Sequence, residues 1–446
     1  MPYTEMENIT QTKLALISER ARKDPTFRFT SLAHLLNEGF LKECYFGLGR
    51  DRASGIDGVS WEEYGERLDE NISDLVARLK AKRYKPKPSR RVYIPKDEHS
   101  KRPLGLASLE DKIVQKGIAR ILEAIYEQDF LNCSYGFRPN CNCHQALNKV
   151  DKTIMSYRVN YVIEADVKHF FDKVPHDWML RCLQVRIKDP SLLLLIRRFL
   201  KAGYIDAGAF VFTTEGTPQG GNFSPILSNV FLHYVLDLWF EKKVKPRVKG
   251  ACQLVRYADD FICMVQNADD ARRIEQAMRS RFAKFGLELH PDKTRVVAFE
   301  VRAANRRKKD KHSVGTFDFL GFTHYWGKSR SGHWTLHRKT SAKRFRRACK
   351  EMNAWLQEVR NTATLKEWWP ILRSKLRGHY QYYGISGNSR GIERFHQVTK
   401  RLVFKWLNRR SQKTSFNWKG FEAYLDHYQL PEPRIVHPLY TLSFGS

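Results

Sequence analysis

The sequence predicts an α+β fold in which helices alternate with strands to about residue 325 and a basic helical region follows. Two observations lead to that expectation. Carboxylates interrupt two apolar, strand-like runs, Tyr161-Val-Ile-Glu-Ala-Asp166 with its continuation to Asp172, and Arg256-Tyr-Ala-Asp-Asp-Phe261. Beyond residue 330 the pattern turns to helix-like stretches carrying Trp355, Trp368, Trp369, Trp406 and Trp418, punctuated by Pro and Gly. With 446 residues, 42% of them hydrophobic, the chain has room for a large core and two to four structural units. Its formal charge of +30 exceeds what solubility needs and provides the sequence-independent part of nucleic-acid affinity. No apolar run is long enough to span a bilayer, Leu192–Ile196 being far too short, so no membrane partner is expected. The N-terminus has no apolar h-region, and the eight scattered cysteines suit reduced thiols in a cytoplasmic protein. Cys141-Asn-Cys143-His144, with a single-residue spacer and no second pair, is a poor zinc motif.

Taken in order, Trp61–Arg83 places Tyr64, Leu68, Ile72, Leu75 and Leu79 at helical spacing and predicts one amphipathic helix. The prolines of Tyr84-Lys-Pro-Lys-Pro-Ser89 end it. A strand, Arg91–Pro95, and a polar loop, Lys96–Arg102, follow. Ser108, with Asp111 three residues on, reads as the N-cap of a helix containing Ile113, Val114, Ile118, Ile121, Leu122 and Ile125.

An acid inside an apolar strand costs several kcal/mol unless it meets a cation, roughly 3 or more for an unpaired charge. Asp259 and Asp260 are adjacent and would face opposite ways on a straight strand. They converge if the chain turns there, with Gln253–Ala258 and Phe261–Val265 as hairpin arms. Asp166, ending its own strand, then adds a third carboxylate. Such a set suits Mg²⁺, which takes carboxylates, waters and substrate phosphates, and two Mg²⁺ ions clamp the attacking and leaving oxygens in nucleotidyl transfer. The pattern therefore predicts a polymerase; the competing reading is a surface hairpin with an ordinary acidic turn.

The ordered stretches Arg91–Lys96, Arg102–Leu106, Ser134-Tyr-Gly-Phe-Arg-Pro139, Asp166, Thr217-Pro-Gln-Gly-Gly221 with Ser224-Pro225, Tyr257-Ala-Asp-Asp260, Gly286–Lys293 and Phe319–Phe322 resemble those of group II intron-encoded reverse transcriptases/maturases. The resemblance implies a right-hand polymerase with fingers, a palm of antiparallel strands and a helical thumb. It sets residues 1–105 as N-terminal extension and fingers, 106–328 as the reverse transcriptase core, and 329–446 as the thumb/maturase domain. It also implies that Asp166, Asp259 and Asp260 hold the metal ions, assisted by the Val167 carbonyl. Lys96 and Arg102 would close over a deoxynucleoside triphosphate, whose phosphates their charges offset. Gln219 would touch the incoming nucleotide from a glycine-rich loop, and Lys293 would reach the triphosphate from behind the hairpin.

Phe171 follows Asp166 by five residues, where related RNA-copying RNA polymerases commonly carry a second Asp that receives a ribose hydroxyl. A ring there would clash with a 2′-OH and select deoxynucleotides. The competing reading is that Phe170 or Phe171 fills the core, as one of two strand neighbours must. In His337–Lys350, Arg338, Lys339, Lys343, Arg344, Arg346 and Arg347 form an acid-free cluster expected to bind RNA. No Cys/His-rich nuclease module follows Pro431–Arg434, so a member without the endonuclease is expected. The expected partners are template RNA, structured intron RNA, a DNA primer or target, and deoxynucleoside triphosphates. Two other readings stand beside it: a free-standing group II-like enzyme of phage defence, CRISPR spacer acquisition or repair, and a non-catalytic RNA-binding splicing factor.

Overall fold

The computed structural model describes residues 3–51, 53–95, 100–217, 220–300, 315–329, 331–410 and 416–439. Lys96 and Gln219 lie outside the described residues. In chain order the strands are β1 (Ser89–Pro95), β2 (Lys101–Leu106), β3 (Tyr161–Asp166), β4 (Tyr204–Asp206), β5 (Ala209–Val211), β6 (Cys252–Tyr257), β7 (Asp260–Val265), β8 (Arg295–Ala298), β9 (Phe317–Phe319), β10 (Phe322–Lys328) and β11 (Trp334–Thr340). One sheet has the order β6-β7-β3-β8. The chain forms two compact units, residues 1–146, 165–263 and 269–295 in one, and residues 147–164, 264–268 and 296–446 in the other. The mixture of helix and sheet agrees with the expected α+β class. Among the described residues no helix is long and apolar enough to cross a membrane.

In the first unit, β1 and β2 form an antiparallel hairpin with Arg91 opposite Gly105 and Ile94 opposite Arg102. The β4–β5 hairpin joins it through a parallel pairing of Ser89 with Tyr204. Arg102 therefore sits on a strand, and the expectation of a loop from Lys96 through Arg102 is corrected at its end. Cross-strand backbone bonds with β1 override the polar composition there. The helix Leu109–Tyr126 starts as expected, with the Ser108 hydroxyl accepting from the Asp111 N–H at 3.2 Å. Its apolar stripe, Ile113, Val114, Ile118, Ile121, Leu122 and Ile125, is 0% exposed, so burial of this face holds the unit's core together. The single helix expected over Trp61–Arg83 is instead two, Trp61–Glu66 and Leu68–Lys80. Arg67 leaves helical geometry at φ −127°, and the Asn71 side chain donates to the Tyr64 carbonyl at 3.0 Å, satisfying an acceptor at the break.

In the second unit, β9, β10 and β11 form an antiparallel sheet, and the helices Ala342–Thr362, Leu365–Tyr383, Ser389–Leu407 and Trp418–His427 follow. Trp368, Trp369, Leu372, Leu376, Tyr380 and Trp406 fill their shared core. Tyr380 is only 3% exposed and bonds His396 Nδ1 at 2.8 Å. Arg338 needs a further correction. It alternates inward with Leu336 and Thr340 on β11 and is 0% exposed. Its guanidinium is hydrogen-bonded to Asp151 and to the Ser386 carbonyl, so it holds the unit together and offers no surface to RNA. Lys339, the next residue, points outward over the Tyr325 ring at 5.4 Å. Lys343, Arg344, Arg346 and Arg347 are exposed on the helix Ala342–Thr362, with Arg347 paired to Glu351 at 2.9 Å.

Candidate active site

The carboxylates converge through local backbone geometry. β6 and β7 make the expected hairpin, and the chain reverses at Ala258 and Asp259, Ala258 taking a left-handed φ of 57°. Asp259 is half-buried just past that residue, while Asp260 begins β7 and is exposed. Asp166 ends β3 and is about one third exposed, with 36% of its side chain accessible. The backbone beyond it pairs with the segment around Leu289: the Lys168 N–H donates to the Glu288 carbonyl at 2.9 Å and the His290 N–H to the Asp166 carbonyl at 2.7 Å. In an antiparallel pair bonded this way, the carbonyl of the intervening residue, Val167, points away from that segment.

This pairing also brings Lys293 to the site, its Nζ 2.6 Å from Asp166 Oδ2. Burial raises the Asp259 carboxyl above its ordinary range. A bond to its own backbone N–H pulls it down, the charge of Asp166 pushes it up, and Arg102 and Arg256 draw it down again. Asp166, Asp259, Arg102 and Lys293 thus share one electrostatic environment. Among the described residues no three His, Cys, Asp or Glu side chains are gathered as a metal cage. Asp260 in particular does not close such a set with the other two. Asp166, which holds the Lys293 ammonium, and Asp259 still fit a divalent ion, because Mg²⁺ commonly takes one or two carboxylates and completes its shell with water and phosphate.

The turn is braced from beneath by residues that sequence reasoning missed. Arg256 is 0% exposed and grips Asp237 with two bonds, Nε–Oδ1 at 2.8 Å and Nη2–Oδ2 at 2.6 Å. Its remaining nitrogen, Nη1, donates to Asn229 Oδ1 and to the Ala258 carbonyl, both at 2.9 Å. Asn229 in turn donates to the Gly136 carbonyl at 2.7 Å. Gly136 belongs to the Ser134–Pro139 stretch, in which the Tyr135 N–H donates to the Arg256 carbonyl at 2.9 Å, while the Arg256 N–H donates to the carbonyl of Cys133 just before it at 2.7 Å. A Cβ on Gly136 would lie 2.2 Å from the Ala258 nitrogen, so only glycine allows this approach. The signal for this brace was present in the sequence: Arg256 is a charge inside an apolar strand.

Phe170 and Phe171 are not strand neighbours, as expected from the sequence, but open the short helix Phe170–Lys173. His169 turns the chain into it at φ 51°. Phe170 is 2% exposed and packs on Phe231, whereas Phe171 is half-buried, its ring 5.4 Å from that of Phe170. Phe171 lines a cleft of about 290 Å³ together with Arg91, Tyr204 and Thr217. The glycine-rich loop is fastened to it, with the Thr217 N–H donating to the Phe171 carbonyl at 2.6 Å. Gly216 has φ 87°, and a Cβ there would stand 2.8 Å from that carbonyl. Lys96 and Gln219 lie outside the described residues, so their expected roles stay with the sequence.

Residues 94–324, just over half of the chain, match the family model described as reverse transcriptase (RNA-dependent DNA polymerase). The chain is 30% identical over 386 residues to protein YkfC of Escherichia coli (strain K12), an alignment covering 77% of this chain and 98% of that one. It is 34% identical over 238 residues to the group II intron-encoded protein LtrA of Lactococcus lactis subsp. cremoris, covering 53% of this chain and 39% of the relative. It is 40% identical over 232 residues to a 91 kDa protein in the cob intron of Schizosaccharomyces pombe, covering 51% of this chain and 28% of that protein. The chain spans nearly all of the first relative but well under half of the two intron-associated ones.

Proposed function

The chain belongs to the reverse transcriptase family and is an RNA-directed DNA polymerase, and on that premise we propose that it extends a DNA primer on an RNA template at Asp166 and Asp259 and also binds a structured intron RNA and assists its splicing. The observation that carries the polymerase site is the convergence of Asp166, Asp259, Arg102 and Lys293 at the β3 end and the β6–β7 turn. The family match supports a right-hand reading, in which β1–β2 would belong to the fingers, the β6–β7 hairpin with the end of β3 to the palm, and the terminal helices to the thumb.

Asp166 and Asp259, with the Val167 carbonyl, would hold Mg²⁺, two ions serving the reaction. When bound, these supply Lewis acidity to the attacking and leaving oxygens. Asp259 is suited to a cation because burial and the Asp166 charge oppose its ionised form until positive charge arrives. Arg102, on the hairpin strand, offsets charge on the triphosphate with a bidentate guanidinium. Lys293 offers a second cation that can move from Asp166 toward the phosphates. Phe171 crowds the place where a ribose 2′-OH would enter, which favours deoxynucleotides. The intron role is supported by the match to an intron-encoded relative and by the exposed cations Lys339, Lys343, Arg344, Arg346 and Arg347.

Asp259→Ala tests the site. Extension of a DNA primer on an RNA template should fall at least about a hundredfold, as for loss of a major transition-state charge contact, with RNA affinity unchanged. A variant that keeps a tenth or more of the wild-type rate would place the chemistry elsewhere.

A further inference from the structure

A second groove lies in the first unit, lined by none of Asp166, Asp259 and Asp260 and unused by the polymerase mechanism. The helix Ala268–Lys284 buries Ala271, Ile274, Met278 and Phe282, and Phe282 stacks on Phe261 of β7. A neighbouring stripe, Arg273, Ala277, Ser280 and Lys284, recurs at helical spacing and lines the groove. The opposite wall is the helical stretch His233–Arg247, which supplies Trp239, Lys243 and Arg247. Between the walls is a space of about 430 Å³ over the apolar side chains of Val244 and Ile274. Part of that wall is wound as π-helix, the Lys245 N–H donating to the Phe240 carbonyl, and such wide turns in natural helices concentrate at functional sites.

The groove's charge is nearly all positive. Among the described residues Lys243, Arg247, Arg273, Arg281 and Lys284 make no ion pair with a carboxylate. Asp270 is the one acid in the lining, and it is 3% exposed and accepts from the Lys249 and Gly250 N–H groups. Arg281 is anchored by the Val235 and Tyr234 carbonyls and lies 4.6 Å above the Phe285 ring. Unpaired cations held together repel one another, and this arrangement gains most by receiving a polyanion. Arg273 and Lys284 are about 16 Å apart along the helix at ~1.5 Å per residue, a span of several phosphates rather than of one small anion.

We propose that this groove is a second, sequence-independent binding site for the phosphate backbone of folded RNA, separate from the primer–template site. The inference rests on the reading of the chain as an enzyme that handles structured RNA. Trp239 adds an aromatic surface for an unpaired base, and the exposed cations along both walls supply the phosphate contacts.

The test is the triple variant Arg247→Ala, Arg273→Ala, Lys284→Ala in the full chain. The probe is transfer RNA, added to enzyme already saturated with a short primer–template. Losing three phosphate contacts should lower the slope of log affinity against log salt by about 2–3, with primer extension unchanged. In the wild-type protein, transfer RNA should also protect Lys243 and Lys284 from acetylation, read by mass spectrometry. An unchanged slope with both lysines still acetylated overturns the groove proposal while extension stays intact. An equal loss of affinity for duplex DNA with the same number of phosphates overturns the assignment to RNA. If the wild-type enzyme cannot extend a primer on RNA at all, it is the polymerase site reading that fails, and the protection result still decides the groove.

Discussion

In the proposed function, Phe171 is the residue on which sugar selection would turn. It is half-buried beside the cleft while its neighbour Phe170 fills the core, so shortening it removes little packing. Phe171→Val should raise incorporation of ATP relative to dATP roughly tenfold or more, the equivalent of ~1.4 kcal/mol of relieved clash. Paired single-nucleotide extensions read the ratio, and an unchanged ratio assigns Phe171 to packing alone. Asp259 gives a pH-dependent expectation for the metal-free protein. Its folded-state carboxyl is raised, chiefly by burial. A raised carboxyl contributes stability that is fully present below its unfolded value, about 4, and is lost as pH rises through the folded value. Asp259→Asn should therefore raise the thermal midpoint at pH 7 in chelator and leave it unchanged well below pH 4. A lower midpoint at neutral pH would contradict the assigned electrostatics. The acids were legible in the sequence because a carboxylate in an apolar run needs a cation. The partners of Arg256 were not, since Asp237 and Asn229 come from a helix that only tertiary folding brings beneath the turn.

The β6–β7 hairpin stands on that buried brace. Removing one member of a buried pair leaves the other charge without compensation, at a cost of about 3–5 kcal/mol. Asp237→Ala should show a loss of that size in urea unfolding, and Arg256→Met combined with Asp237→Leu should recover part of it. A loss below about 1 kcal/mol, the scale of an exposed pair, would mean the brace carries little. Elements with a local signature were readable: the cap at Ser108 and the stripe that follows it announce the helix Leu109–Tyr126. The hairpin was readable because adjacent acids have to turn. The break at Arg67, the start of β2 at Lys101 and the helix after His169 were not. Each depends on a backbone dihedral or a pairing partner that hydrophobic periodicity does not encode.

At the scale of the whole molecule, the chain visits its second compact unit three times, at residues 147–164, 264–268 and 296–446. A linear reading of composition could find the basic helical region but not the two short returns, which belong to that unit by packing rather than by sequence position. Arg338 shows the limit of reading charge alone, for in the same basic stretch it is a buried partner of Asp151 while Lys339 faces outward. Polymerisation is assigned to carboxylates of the first unit, and binding of long RNA to exposed cations that include Arg344, Arg346 and Arg347 of the second. One paired measurement separates them: primer extension on a short RNA template and salt-dependent affinity for a long folded RNA, for wild type, Asp259→Ala and Arg344→Ala/Arg346→Ala/Arg347→Ala. The carboxylate variant should lose extension and keep wild-type affinity. The arginine variant should keep extension at saturating enzyme and lose about 2–3 from the salt slope. Extension that survives Asp259→Ala, or that collapses in the arginine variant while its RNA affinity holds, would contradict this division of labour.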